Sequence, residues 1–186
     1  MELMEYLDIV DENGEPTGET VARDDAHRNG IRHRTAHVWI VRRSSDGYDV
    51  LLQKRSMQKE SFPGMYDTSS AGHIPAGEQP LSSALRELSE ELGITASASQ
   101  LDHAGLFRIQ YEKVFHGRTF RDNEVTNVYV YSQPVDADKL VLQKSEVEEV
   151  RWFGLDEVWN EIQTDRHRFC VPAGGLEVLR KYLGSK

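Results

Sequence analysis

A single cysteine, Cys170, stands in a chain of 186 residues. It cannot close an internal disulfide and has no second cysteine with which to share a zinc site, so the chain suits a reducing compartment. Long apolar runs are missing too: none approaches the ~20 residues needed to span a bilayer, and the opening Met1-Glu2-Leu3-Met4-Glu5 has neither the charged nor the apolar part of a signal peptide. The expectation is a cytoplasmic protein with no membrane partner. Positive charge is in deficit, with 22 lysines and arginines against 31 acidic residues and a formal net charge of −9, which argues against a nucleic-acid polymer as partner. Internal repeats, low-complexity tracts and linkers are absent. With 38% of residues hydrophobic, the length fits one core, and residues 1–186 read as a single domain.

What is present reads as alternating strands and helices. Residues 6–10 form a strand, Asn13-Gly14 is a strong hairpin turn, and residues 17–21 return, making an amino-terminal hairpin over about 5–22. A polar stretch follows with His27, Asn29 and Gly30. Residues 36–41 read as a buried strand whose hairpin partner is 48–53, and Phe62-Pro63-Gly64 forces a turn. The clearest helix is 80–92, with Pro80 in its first turn and Gly93 just past its end. Its residues Leu81, Ala84, Leu85, Leu88 and Leu92 make one apolar stripe, with Glu87, Glu90 and Glu91 largely off it. Further strands are expected at 106–111, 126–131 and 150–153, and helices at 155–162 and about 175–183. This pattern predicts an α/β fold, a mixed sheet with helices packed on it as an α/β/α sandwich, carrying the added hairpin.

The chemistry concentrates between Gly72 and Ile94, in GHIPAGEQPLSSALRELSEELGI. On a helix, residues three and four apart are neighbours, so Glu87 faces both Glu90 and Glu91, with Cβ atoms ~5–6 Å apart. At an effective dielectric near 20, each like-charge pair at that spacing costs roughly 3 kcal/mol before solvent and salt relax it. A cation removes the conflict, and oxygen-only ligation favours magnesium, with manganese as the alternative. The glycine-bearing segment from Gly72 to Gly77 leads into the helix, so its backbone can approach a metal and a substrate closely. Such an ion would polarise phosphate oxygens and lower the pKa of a bound water.

The segment fits G-x5-E-x7-R-E-U-x-E-E-x-G-U, with U aliphatic, at every defined position, and in this it resembles the Nudix family. The resemblance implies the Nudix-type sandwich, metal binding by Glu87, Glu90 and Glu91 helped by a backbone carbonyl near Ala71 or Gly72, and scaffold roles for Gly72, Glu78, Arg86 and Gly93, with Arg86 pairing to Glu78. Glu87 doubles as a candidate general base, and Glu124 in Asp122-Asn123-Glu124 is the second.

The likeness extends over about residues 5–165 and is strongest to the branch containing isopentenyl-diphosphate isomerases, carried by residues 30–34, 51–56, 62–64, Gly72-His73 and 122–125. Matched residue by residue, His33, His73, Asp122 and Glu124 fall where those isomerases bind a divalent metal, with His27 a looser match. Arg55 and Lys59 fall where they grip the diphosphate. Two departures favour hydrolysis. The isomerases need a cysteine just before the Gly-His pair, where this chain has Ala71, whose methyl has no proton to exchange. This chain also keeps the whole acidic box, which isomerases often lose. Cys170 lies in an unrelated context. Isopentenyl-diphosphate isomerase is therefore the alternative, and a catalytically inactive nucleotide-binding module is the second.

His37, His103, His116 and His167 have no motif context, and His27 reads as an exposed loop residue. The expected substrate is a small-molecule diphosphate, by default a nucleoside diphosphate derivative, with Tyr66, Phe107, Tyr111 and Phe115 as candidates to stack on a base or to pack in the core. The amino-terminal hairpin is a candidate for pairing with a second copy in a homodimer.

Overall fold

A computed structural model describes residues 4–185. Strands β1 (Tyr6–Val10) and β2 (Pro16–Ala22) form a separate antiparallel hairpin across the Asn13-Gly14 turn. Helix α1 (Arg23–Asn29) follows, then β3 (His33–Ser44), β4 (Gly47–Arg55), β5 (Tyr66–Asp67) and β6 (Ser70–His73). Helix α2 (Pro80–Leu92) leads to the long strands β7 (Leu101–Phe115) and β8 (Arg118–Tyr131), then β9 (Val147–Gly154), α3 (Leu155–Thr164) and α4 (Ala173–Gly184). The main sheet runs β5-β4-β3-β8-β7, with β6 also on β3 and β9 also on β4. β3 and β8 are parallel and the other pairs antiparallel, so the sheet is mixed as expected.

Two apolar layers flank it. Trp39, Val41, Val50, Leu52, Val128 and Val130 pack against Leu155, Val158, Leu176 and Leu179 of α3 and α4. Ala36, Val38, Ile40 and Leu51 pack against Ala84, Leu88 and Leu92 of α2. Alternation along β3 sends successive side chains to opposite layers, which makes an α/β/α sandwich. No helix among the described residues is long and apolar enough to cross a membrane.

Several expectations need revision. The polar stretch at residues 23–29 is helix α1, supported by Asp24 and Asp25 in its first turn, His27 and Arg28 in its last, and Gly30 in the left-handed conformation at its end. His27 is accordingly a buried helical residue and not an exposed loop residue. Gly72 lies within β6, so the connection into α2 is shorter than the sequence suggested. Asp122-Asn123-Glu124 sits inside β8, which starts eight residues before the expected Thr126 because β7 pairs with it along the whole ladder to Phe115↔Arg118.

The first strand of the hairpin packs on the domain, while β2 is mostly exposed. Leu7 and Val10 are buried, Ala76 donates its N–H to the Tyr6 carbonyl at 2.8 Å, and Asp8 accepts from the Gly77 N–H at 2.9 Å and from Arg34 at 3.0 Å. It thereby braces the turn before α2. Leu88, fully buried in the α2 layer, tests that layer's contribution. Leu88→Ala should cost about 2–5 kcal/mol in urea unfolding at unchanged m-value; a shift below ~1 kcal/mol would show that α2 is held mainly by its polar contacts.

Candidate active site

β6 passes directly over α2, and the approach is close enough to require a glycine. A Cβ on Gly72 would lie 2.3 Å from Cδ of Glu87 and 2.5 Å from its Cγ. Glu91 stands beside it, only 4% exposed, accepting from the Gln53 amide at 2.8 Å and from the Ala71 N–H at 3.4 Å. This places Glu91 on the buried side of α2, where the apolar stripe had excluded it, while Leu81 and Leu85 of that stripe are only partly covered. Burial, followed by the charge of Glu87, pushes the Glu91 carboxyl up to about 8, and burial also raises Glu87. Glu90 is half-exposed.

Arg86 holds the acidic row together. Its guanidinium lies 2.8 Å from Glu87 and 3.5 Å from Glu90, with Glu78 further off at 3.6 Å. The expected tie to Glu78 is present, yet Arg86 is closer to Glu87, and Glu78 instead accepts from Ser83 at 2.8 Å. Gly93 ends the helix in the left-handed conformation, its N–H reaching the Leu88 and Ser89 carbonyls.

A second constellation assembles on the opposite face of β6. His27 from α1, His33 from β3, His73 from β6 and Glu124 from β8 bring one ligand atom each within 4.8 Å of one another. The parallel register sets His33 beside Glu124, and the antiparallel register sets His73 beside Thr35. Asp122 adds a carboxylate oxygen 3.7 Å from His27 Nε2 and 4.0 Å from His33 Nε2. His33 Nδ1 lies 2.9 Å from the Ile31 carbonyl, which can only accept, so Nδ1 carries a proton and Nε2 is the atom turned toward the carboxylates. That Nε2 and Oδ1 of Asp122 are buried without hydrogen-bond partners, and Nε2 of His73 confronts Nε2 of His27 at 3.3 Å. Burial, then the neighbouring His33, pushes His27 down to about 4, and burial lowers His73 well below the usual imidazole range. Burial works to raise Glu124, but His33 and His73 outweigh it and hold that carboxyl low; Asp122 goes up, through burial and the charge of Glu124.

Imidazoles converging with carboxylates fit a divalent cation that takes nitrogen and oxygen, and the orphaned buried atoms are what such an ion would satisfy. Glu87, Glu90 and Glu91 beneath the β6 backbone fit a harder, oxygen-ligated ion.

Both sets, apart from the fully buried His33, line one cleft of ≈1760 Å³. Arg55 and Lys59 line it as well, but their donors are already engaged: Arg55 reaches the Ser61 carbonyl at 2.9 Å, the Ser61 hydroxyl at 3.0 Å and Asp67 at 3.3 Å, while Lys59 pairs with Glu146. Of the stacking candidates, Phe107, Tyr111 and Phe115 line the cleft, whereas Tyr66 belongs to the core, its ring against Phe153 and its hydroxyl on Glu149. Thr35, overlooked in the sequence, bonds Glu124 at 2.9 Å and Thr126 at 2.7 Å. Cys170 reaches the cleft beside β5, and burial drives its thiol well up, which leaves it a poor nucleophile. His103, His116 and His167 lie outside both ligand sets.

The family model for the NUDIX domain matches residues 31–177. The chain belongs to the Nudix family. Nudix hydrolase 3 of Arabidopsis thaliana is 39% identical over 158 residues, 84% of this chain, although the chain spans only about a fifth (20%) of that protein's length. A Nudix hydrolase of Clostridium acetobutylicum is 36% identical across 83% of this chain and 72% of its own, and an isopentenyl-diphosphate delta-isomerase of Dinoroseobacter shibae is 30% identical across 80% and 79%. The crystal structure of DR0079 from Deinococcus radiodurans superposes with a TM-score of 0.71 at 20% identity, covering 95% of this chain and 98% of its own, and supports the Nudix fold. Membership supports a hydrolase acting on diphosphate compounds, in a family that generally uses divalent metals such as magnesium. Gly72→Ala should displace Glu87 and lower turnover on such compounds by about a hundredfold at nearly unchanged melting temperature; an unaffected rate would mean that Glu87 has no part in the chemistry.

Proposed function

We propose that this Nudix protein is a metal-dependent hydrolase that cleaves the diphosphate linkage of a nucleoside diphosphate derivative by attack of water on phosphorus. The observation that carries the reading is the intact acidic row: Glu87 and Glu91 pressed beneath the Ala71–Gly72 backbone, with Glu91 buried at 4% exposure and no cationic side chain bonded to it. Of this pair Arg86 offsets Glu87 alone, and two carboxyls this close and buried resist ionising together unless a further cation joins them.

In this reading Glu87, Glu90, Glu91 and the Ala71 carbonyl hold magnesium, or manganese in its place. When bound, the ion supplies charge to the phosphate oxygens and a more acidic water. Glu87 and Glu124 are the two carboxylates placed to accept the proton from the attacking water, Glu124 being anchored by Thr35. Arg55 and Lys59 turn from Ser61 and Glu146 to the substrate's phosphate oxygens, exchanging partners without losing hydrogen bonds. Gly72, Glu78, Arg86 and Gly93 set the frame. His27, His33, His73, Asp122 and Glu124 would hold a second divalent ion, drawing its ligands from α1, β3, β6 and β8.

The histidine cluster is also what an isomerase of this branch would carry, and it is the specific observation favouring that second reading. Ala71 opposes it, since the face of β6 that bears His73 presents a methyl where allylic proton exchange needs a titratable group.

The test is a panel of diphosphates, including nucleoside diphosphate derivatives and isopentenyl diphosphate, assayed with and without magnesium. Magnesium-dependent release of phosphate-containing products is expected, and Glu91→Gln should lower the rate a hundredfold or more while preserving the circular-dichroism melt. Conversion of isopentenyl diphosphate to its allylic isomer, with no other compound cleaved, would overturn the proposal, and so would an active Glu91→Gln enzyme.

A further inference from the structure

Neither ligand set uses His37. Strand alternation places it on the same face of β3 as His33 and Thr35, two residues beyond Thr35, with Ala71 of β6 directly across from it. Its ring lines the cleft yet is only 7% exposed, and its Nδ1 is buried with no hydrogen-bond partner. Apolar groups stand on two sides of it, while the carboxylates of Glu124 and Asp67 are near enough to act on its charge. Phe107 meets the imidazole edge to face, with centroids 5.9 Å apart at 67°, and the Ala71 methyl lies on the neighbouring strand.

The position of Phe107 is itself built. A Cβ on Gly174 would stand 3.0 Å from its ring, and one on Gly175 would stand 2.9 Å away. Two adjacent glycines at the start of α4 therefore make room for that ring beside His37. One side of the cleft there has a flat aromatic wall and one unsatisfied polar side chain. An imidazole nitrogen can exchange a hydrogen bond with a ligand, and an occupant with no polar atom would leave the buried nitrogen unpaired. Sites built this way discriminate strongly against analogues lacking the hydrogen-bonding group.

The geometry points to His37 as a specificity-determining residue that exchanges a hydrogen bond with a heterocyclic base lying along Phe107, so that the cleft selects nucleoside diphosphates over prenyl diphosphates. This rests on the hydrolase reading above and names the feature that chooses the organic half.

Binding of non-hydrolysable analogues tests it apart from catalysis. With magnesium present, calorimetry compares methylenediphosphonate, which has no organic group, with the α,β-methylene analogues of ADP and CDP, using wild type, His37→Leu and His37→Gln. Wild type should bind at least one nucleoside analogue more tightly than the bare diphosphonate. His37→Leu should weaken that analogue about tenfold or more and change methylenediphosphonate less than twofold, and His37→Gln should recover most of the loss. In 15N spectra of the histidine imidazoles, the His37 signals should shift with the nucleoside analogue and stay put with methylenediphosphonate. Equal losses for both probes, no loss in His37→Leu, or no wild-type preference for a nucleoside analogue overturn the inference. Those results leave the hydrolase reading standing, because that reading is decided by the cleavage assays on the wild type and Glu91→Gln and not by binding at His37.

Discussion

The central strand β3 imposes the constraint from which the rest follows. It pairs with β4, β6 and β8 at once, so its backbone is fixed on both sides and its side chains have two directions available. Ala36, Val38 and Ile40 go to the α2 layer. His33, Thr35 and His37 take the other face, at the end of the sheet where the cleft opens, before Trp39 and Val41 resume the core. A one-residue slip of β3 would exchange these sets, burying imidazoles against Leu88 and exposing the aliphatic residues. The apolar pattern that stabilises the sandwich therefore also enforces the geometry of the polar site.

Charge explains why the site is poised as it is. Two groups of carboxylates are buried in a chain already carrying a net charge of −9. Around Glu91 the relief comes from neutral donors, Gln53 and the Ala71 N–H, which stabilise a carboxylate without neutralising it. Around Glu124 it comes from Thr35 and the facing imidazoles. Arg86 bonds Glu87 and also bridges to Glu90, which keeps the row from splaying while leaving Glu91 to other partners. Polar groups held this way lose little by reorganisation when a cation arrives.

The acidic box was legible because all its parts fall in one short segment with helical spacing, and the sandwich was legible because β3, β4, α2 and α4 carry clean apolar patterns. The histidine cluster was legible only through family likeness, since its members come from four elements whose meeting depends on sheet order. His27 was misread because α1 has seven residues, with Ala26 the one apolar side chain buried there, and so shows no amphipathic period. Its local signals, acidic first turn and terminal glycine, were present but modest. The early part of β8 was missed for a related reason: Arg118 to Glu124 is polar, and it becomes strand because β7 pairs with it, an interaction that no window of adjacent residues reveals. His37 escaped notice inside Ala36-His37-Val38-Trp39, where burial on both faces erases alternation from the sequence.

The two ligand sets are not independent, because β6 is only four residues long and serves both. Gly72 turns its bare α-carbon to Glu87 on one face, while Ala71 and His73 turn their side chains to the other. Any shift of β6 toward the histidines withdraws the Ala71 N–H from Glu91, and any shift toward α2 drives Gly72 into Glu87. The sheet bonds from β3 to residues 70–73 hold this strand between those limits, and the Asp8 bonds to Gly77 and Arg34 steady the segment that follows. One backbone thus sets the separation between a nitrogen-rich and an oxygen-rich ligand set. Putting a thiol in place of the methyl at position 71 would leave both candidate ligand sets where they are and alter only the proton chemistry available between them.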